Sequence, residues 1–272
     1  MITDWDAAYA NSAIEPDAPA IFARWAEQAA AFRAQADMRR DVPYGRHPRE
    51  RLDLFAPQGA PKGLMVYIHG GYWRAFDKDA SSHLAQGMLA QGWAVAIPSY
   101  PLCPEFRIAE IGHAVAQAIT HAAGAVGGPI VLCGHSAGGH LAARMMCDAG
   151  PLPHEIAARV ALTMGISGVY DLRPLTRTAM NDDLRLDSGE AASESPALLT
   201  PHSDARLVAW AGGAELPEFR RQSALIANIW SGLGAETDLV EAPGARHFDV
   251  IDPLTDPGGA MVARLAGIEA PA

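Results

Sequence analysis

Short apolar runs alternate along this chain with stretches whose apolar residues recur every three to four positions. That is the pattern of strands separated by helices. Residues 64–69 (Leu64-Met65-Val66-Tyr67-Ile68-His69) read as a buried strand that stops at Gly70-Gly71. Residues 93–98 read as a second strand, closed by Pro98, and 129–133 as a third. Between them, Ile108, Ile111, Val115 and Ile119 fall on one face of a helix over 107–123. A helix over 137–147 follows, then strands at 160–166, 206–210 and 237–240, with a helix over 219–230 between the last two. Residues 42–55 read as an antiparallel edge hairpin. Alternation of this kind predicts an α/β fold: a mostly parallel central sheet flanked by helices on both faces, in three layers.

Two stretches fit that frame less directly. Residues 1–41 form a helical N-terminal segment whose Ala-rich part, 26–36, is expected to pack across the body. Residues 171–205 are polar and irregular, with Asn181-Asp182-Asp183 and Ser193-Glu194-Ser195-Pro196, and read as a cap or insertion over the carboxyl end of the sheet. With no internal repeat or low-complexity tract, a single domain over 1–272 is the simplest organisation.

Composition narrows the function classes. Of 272 residues, 49% are hydrophobic and 19% charged, enough apolar material for a large core. The net charge of −10, from 31 acidic and 21 basic residues, disfavours nucleic acid and anionic membranes as partners. No apolar run reaches the length of a membrane span, and Met1-Ile2-Thr3-Asp4-Trp5-Asp6 lacks the basic start of a secretion signal. The expectation is a soluble, cytoplasmic protein acting on a small molecule. Three cysteines, Cys103, Cys133 and Cys147, without close spacing argue against a disulfide framework or a structural zinc. Cys133 reads as a buried strand residue.

Candidate chemistry begins at Gly134-His135-Ser136-Ala137-Gly138, a G-x-S-x-G run placed between a strand and a helix. A turn this tight needs glycine on both sides, and it raises the serine at a helix start where backbone N–H groups can receive an oxyanion. His69-Gly70-Gly71 ends an earlier strand, so the N–H groups of Gly70 and Gly71 join that of Ala137 as the expected oxyanion hole. The His69 side chain is expected to pin that loop. A serine hydroxyl needs a base. Downstream of His140, which shares the helix of Ser136, the chain offers His154, His202 and His247. Only His247 lies just after the last strand, where the base of such a site is delivered. The acid should follow the penultimate strand: Glu215 occupies that loop, with Glu218 and Asp171 as competitors. A histidine base predicts a rate that falls on acidification.

These motifs resemble the serine-type kynurenine formamidases (arylformamidases), a branch of the α/β-hydrolases. The resemblance rests on His69-Gly70-Gly71-Tyr72-Trp73, on Gly134 to His140, on Ser167-Gly168-Val169-Tyr170-Asp171-Leu172, and on Glu215-Leu216-Pro217-Glu218-Phe219-Arg220-Arg221-Gln222-Ser223 followed by His247-Phe248. It spans roughly residues 42–255. The family's similar acidic-x-Pro-Glu-Phe run begins with its triad aspartate, so Glu215 departs from it by one methylene. The resemblance implies an α/β-hydrolase fold and hydrolysis of N-formylkynurenine to kynurenine and formate without metal or organic cofactor. Tyr72 and Trp73 would line a pocket for an aromatic substrate. A carboxylesterase for small esters would share the same triad. A hydrolase-like binding scaffold would be expected to lack a member of it, and nothing suggests the carrier or coenzyme site of an acyltransferase.

Overall fold

The computed structural model describes residues 2–267. Eight strands form one sheet: β1 (Met38–Pro43), β2 (Arg51–Phe55), β3 (Leu64–Ile68), β4 (Ala94–Pro98), β5 (Ile130–His135), β6 (Val160–Ile166), β7 (Arg206–Gly212) and β8 (Glu236–Ala242). Their order is β1-β2-β4-β3-β5-β6-β7-β8, with β1 and β2 antiparallel to their neighbours and every pair from β4 to β8 parallel. The chain leaves β3 toward β4 on one side and β5 toward β6 on the other. The crevice between the carboxyl ends of β3 and β5 is therefore the switch point at which open α/β sheets bind ligands.

The helices are α1 (Trp5–Tyr9), α2 (Asn11–Ile14), α3 (Ala18–Arg33), α4 (Gln86–Ala90), α5 (Ile108–Ala125), α6 (Ala137–Met145), α7 (His154–Ala157), α8 (Asn181–Leu184), α9 (Ser188–Ser193), α10 (Pro217–Gly232) and α11 (Ala260–Leu265). Strand alternation splits the apolar residues into two layers of core. Leu64, Val66 and Ile68 of β3 pack with Ile111, Val115 and Ile119 of α5 and Leu141 of α6 on one face. Met65 and Tyr67 pack on the other with Trp25 of α3, Met88 of α4 and Val262 of α11. Both faces being covered, β3, β4 and β5 are buried along their whole length, which is why they read as unbroken apolar runs.

Two expectations change. The segment 171–205 is not irregular: it folds into 3₁₀ turns at Arg173–Arg177 and Pro196–Leu198 with α8 and α9 between them. Its Leu175, Leu184 and Ala191 are buried, and Arg144 of α6 holds Glu194 at 3.0 Å. Of the polar runs that suggested irregularity, Asn181-Asp182-Asp183 is the outer turn of α8, whereas Glu194 and Ser195 are buried, Glu194 against Arg144 and the Ser195 hydroxyl donating to the Ala191 carbonyl at 2.6 Å. The Ala-rich stretch belongs to a helix that starts earlier, at Ala18, and packs on the sheet as expected.

The three cysteines are buried and free, and burial pushes the Cys103 and Cys147 thiols up to about 12. Among the described residues no helix is long and apolar enough to cross a membrane.

Burial also isolates four imidazoles. Desolvation holds His69 and His83 down at about 4 and His140 at about 3, and His135 well below its ordinary value. In the unfolded chain each takes up a proton near pH 6.5. The stability these neutral rings support is thus complete above about pH 6.5 and declines as pH falls toward 4, by up to about 1.4 kcal/mol per pH unit for each ring. Melting temperature measured against pH should therefore be level near pH 8 and drop steeply below 6.5. A level curve down to pH 5 would contradict the burial of neutral histidines.

Candidate active site

β5 ends at His135 and α6 begins at Ala137, so the whole strand-to-helix reversal falls on Ser136. Its φ of 55° and ψ of −117° lie in a region that costs a side-chain-bearing residue about 1–3 kcal/mol. The surrounding glycines allow it. A Cβ on Gly134 would lie 2.1 Å from the Gly138 carbonyl oxygen, and one on Gly138 would lie 2.0 Å from that of Ile68. The Ser136 N–H donates to the Ile166 carbonyl at 2.8 Å, which ties the turn to β6.

Gly70 and Gly71 follow β3 alongside this turn. A Cβ on Gly70 would sit 3.1 Å from the Ser136 Cβ, so the two loops touch at the serine. Ala137 is the first residue of its helix, whose N–H has no intrahelical acceptor. Among the described residues the N–H groups of Gly70, Gly71 and Ala137 donate to no backbone carbonyl. His69 stacks on Tyr100 with ring centres 4.2 Å apart, and its Nδ1–H donates to the Gly70 carbonyl at 2.8 Å. The Tyr100 hydroxyl donates to the His69 carbonyl at 2.7 Å, so the glycine turn is braced from both sides.

His247 lies in the turn after β8. Its Nδ1 is 2.9 Å from Oε2 of Glu215, in the loop between β7 and α10. The other carboxylate oxygen, Oε1, accepts the Gly212 N–H at 2.6 Å and the Ser167 hydroxyl. A carboxylate so held can only accept, which places the His247 proton on Nδ1 and leaves Nε2 as the basic atom. The competing acids are elsewhere. Glu218 accepts the Tyr9 hydroxyl at 2.7 Å and pairs with Arg221; Asp171 pairs with Arg173 at 2.9 Å. Glu218 is thus a buried partner of α1. No hydrogen bond joins Ser136 Oγ to His247 among the described residues, but both residues line one cavity.

That cavity, about 640 Å³, opens at the carboxyl ends of β3 and β5. Tyr9, Phe22, Trp25, Tyr72, Phe76 and Phe248 give it an aromatic wall. Tyr72 lines it with its hydroxyl donated to the Tyr9 carbonyl at 2.7 Å. Trp73 does not line it. Its side chain is fully buried in the core, edge-on to His140 at 5.0 Å. Tyr72 and Trp73 have φ of 49° and 56°, and neighbouring residues in so tight a helical turn face different sides. The expected pair of pocket aromatics is therefore one. His140 is buried in the scaffold, its Nε2–H donating to the Glu194 carbonyl at 2.6 Å.

The N-terminal segment supplies what sequence reasoning missed. Tyr9, Asn11 and Ser12 line the cavity, and Glu15 accepts the backbone N–H of His247 at 2.9 Å. A charged residue beside a proline, as in Glu15-Pro16, reads as surface, and no local pattern announces a contact across most of the chain. Segment 171–205 contributes only Ala179 and Met180 to the lining. No group of three or more His, Cys, Asp or Glu among the described residues is arranged to hold a metal ion.

Residues 65–267 match a family model described as the alpha/beta hydrolase fold. The chain belongs to the α/β-hydrolase family. Within it, this hydrolase is 29% identical to a kynurenine formamidase of Danio rerio over 230 residues, 79% of this chain and 76% of the relative. It is 30% identical to one of Salmo salar over 231 residues, with the same shares. A solved structure from Silicibacter sp. TM1040, described as a "putative thioesterase", superposes with a TM-score of 0.92. That protein is 46% identical, with 96% of this chain and 98% of that one covered.

Proposed function

We propose that this hydrolase is an arylformamidase that cleaves N-formylkynurenine to kynurenine and formate, with Ser136 as nucleophile, His247 as base and Glu215 as the acid that orients it. The observation that carries the reading is one cavity bounded by Ser136, His247 and the Gly70-Gly71 turn and walled by aromatic rings, sized for a small aromatic amide. Relatives named kynurenine formamidase, aligned over 79% of the chain, support the substrate class.

Ser136 Oγ attacks the formyl carbon while its proton passes to His247 Nε2. The oxyanion is received by the N–H groups of Gly70, Gly71 and Ala137, each such donor contributing about 3–4 kcal/mol of barrier lowering. His247 then gives that proton to the aryl nitrogen as the C–N bond breaks, because an anilide is a poor leaving group. Kynurenine departs and a formyl ester remains on Ser136. Water attacks the ester, losing a proton to His247. The C–O bond to Ser136 breaks, formate leaves, and the proton returns to Oγ. Glu215 stabilises the imidazolium in both halves. Tyr72 would pack on the aryl ring.

A second reading, hydrolysis of small carboxylic esters or thioesters, is favoured by the relative described as a thioesterase, since the same residues serve either bond. The binding-scaffold reading does not survive membership of a hydrolase family with Ser136, His247 and Glu215 all present. The test is kcat/KM for N-formylkynurenine against p-nitrophenyl acetate and a short acyl thioester, with Ser136→Ala as control. The formamide should lead by orders of magnitude and all turnover should vanish in the variant. Turnover of the esters alone would replace the first reading with the second.

A further inference from the structure

Glu15 is a completely buried carboxylate between α2 and α3, and among the described residues it forms no salt bridge with any Lys or Arg. A charge in such a place is costly unless something compensates it. Two backbone donors do so in part: the His247 N–H at 2.9 Å on Oε1 and the Phe248 N–H at 3.4 Å on Oε2. Those are consecutive N–H groups of the loop that carries the proposed base. Arg246, whose charge also acts on Glu15, has its guanidinium turned to Asp17 at 3.2 Å. Of the positive charges that act on Glu15, the larger is the one His247 acquires when it takes the serine proton, ahead of that of Arg246.

We propose that Glu15 is a positioning residue of the hydrolase reaction, a second carboxylate behind His247 that fixes its loop and favours the imidazolium. The proposal rests on His247 being the base. Glu215 sets the ring from Nδ1, and Glu15 sets the backbone beneath it from the opposite end of the chain. The other groups facing His247 do not supply this charge. His135, 4.7 Å away ring to ring, donates Nε2–H to the His247 carbonyl and is kept neutral by burial and by its neighbour. Phe219 and Phe248 are apolar, and Arg246 and Asp249 form an ion pair at the surface. Burial raises the Glu15 pKa, while the Phe248 N–H, the His247 charge and N–H, and the Arg246 charge pull it down.

The test is the pH dependence of kcat/KM for p-nitrophenyl acetate in the wild type, Glu15→Gln and Asp17→Asn. An ester that acylates any active serine keeps the result independent of the formamide question. In Glu15→Gln the amide oxygen can still accept one N–H, but the charge is gone. The imidazolium loses a counter-charge, so the acid limb should move to lower pH by about half a unit or more. Activity above the limb should fall about tenfold. Asp17→Asn unties the same segment from the same loop at an exposed site, and should leave the limb in place. Should Glu15→Gln not fold, Glu15→Asp, which keeps the charge on a shorter arm, should hold the limb near the wild-type position at reduced rate. A limb that stays put in Glu15→Gln while only the melting temperature drops would overturn the proposal and leave Glu15 a structural tie. A wild type with no acid limb would overturn the histidine base itself, and this inference with it.

Discussion

Replacing Glu215 by glutamine is expected to lower kcat/KM by about 10⁴-fold while leaving the fold intact. The two carboxylate oxygens do different work. Oε1 accepts from the Gly212 N–H at 2.6 Å and from the Ser167 hydroxyl, both donors. A glutamine is therefore forced to place its carbonyl oxygen there and to turn its NH₂ group toward His247 Nδ1, now 2.9 Å from Oε2. Two donors cannot face each other, so the imidazole must carry its proton on Nε2, and the atom that should accept the serine proton is already occupied. Size and burial are nearly unchanged, so the melting temperature should shift little. Glu215→Asp keeps the charge but shortens the arm, and should lose less activity than the isosteric glutamine. If glutamine and aspartate variants were equally active, Glu215 would not be setting the tautomer.

The second large effect is structural in origin. Gly138→Ala should cost more than about 4 kcal/mol and more than about a hundredfold in activity. The new Cβ would lie 2.0 Å from the Ile68 carbonyl oxygen and 2.6 Å from that of His69. Both are backbone atoms at the end of β3, so neither can swing aside as a long side chain would. To make room, α6 must move away from β3, which separates Ser136 from the Gly70-Gly71 turn. Gly124, on the exposed side of α5, is the matched control. Its added Cβ meets nothing within 4 Å, and in a helix alanine is favoured over glycine by about 1 kcal/mol, so Gly124→Ala should stabilise. Urea unfolding of the two variants side by side separates the close-approach glycine from the permissive one.

The parts of this architecture legible in the sequence are those encoded by local period and local sterics. β6 occupies Val160–Ile166, where its apolar run ends, and α5 runs from Ile108 to Ala125, close to the span that Ile108, Ile111, Val115 and Ile119 define. Glycine-rich turns were visible because few other residues allow the backbone to pass so near another chain segment. The sequence favours Glu215 over Glu218, which follows Pro217 in a helix first turn, and the structure sets Glu215 2.9 Å from His247 Nδ1. Helix α4 was missed because it is a single turn, Gln86–Ala90, containing Gly87 and entered from a 3₁₀ turn. Trp73 was misassigned because adjacency to Tyr72 says nothing about direction once the backbone turns left-handed. Glu15, Tyr9 and Asn11 were invisible for a different reason. Their importance comes from what the far end of the chain brings to them, and no window of sequence contains both partners.

The Glu15–His247 contact spans 232 positions, Arg246–Asp17 spans 229 and Tyr9–Glu218 spans 209. Contacts of such separation close last on average, since the loop entropy of nearly the whole chain opposes them until the sheet has formed. The ties that the N-terminal segment makes to the His247 loop are thus expected to close late in folding. A ribosome must deliver the final strand before the segment made first can take hold of it. Until then the loop that carries His247 lacks the Glu15 carboxylate that accepts its backbone N–H groups.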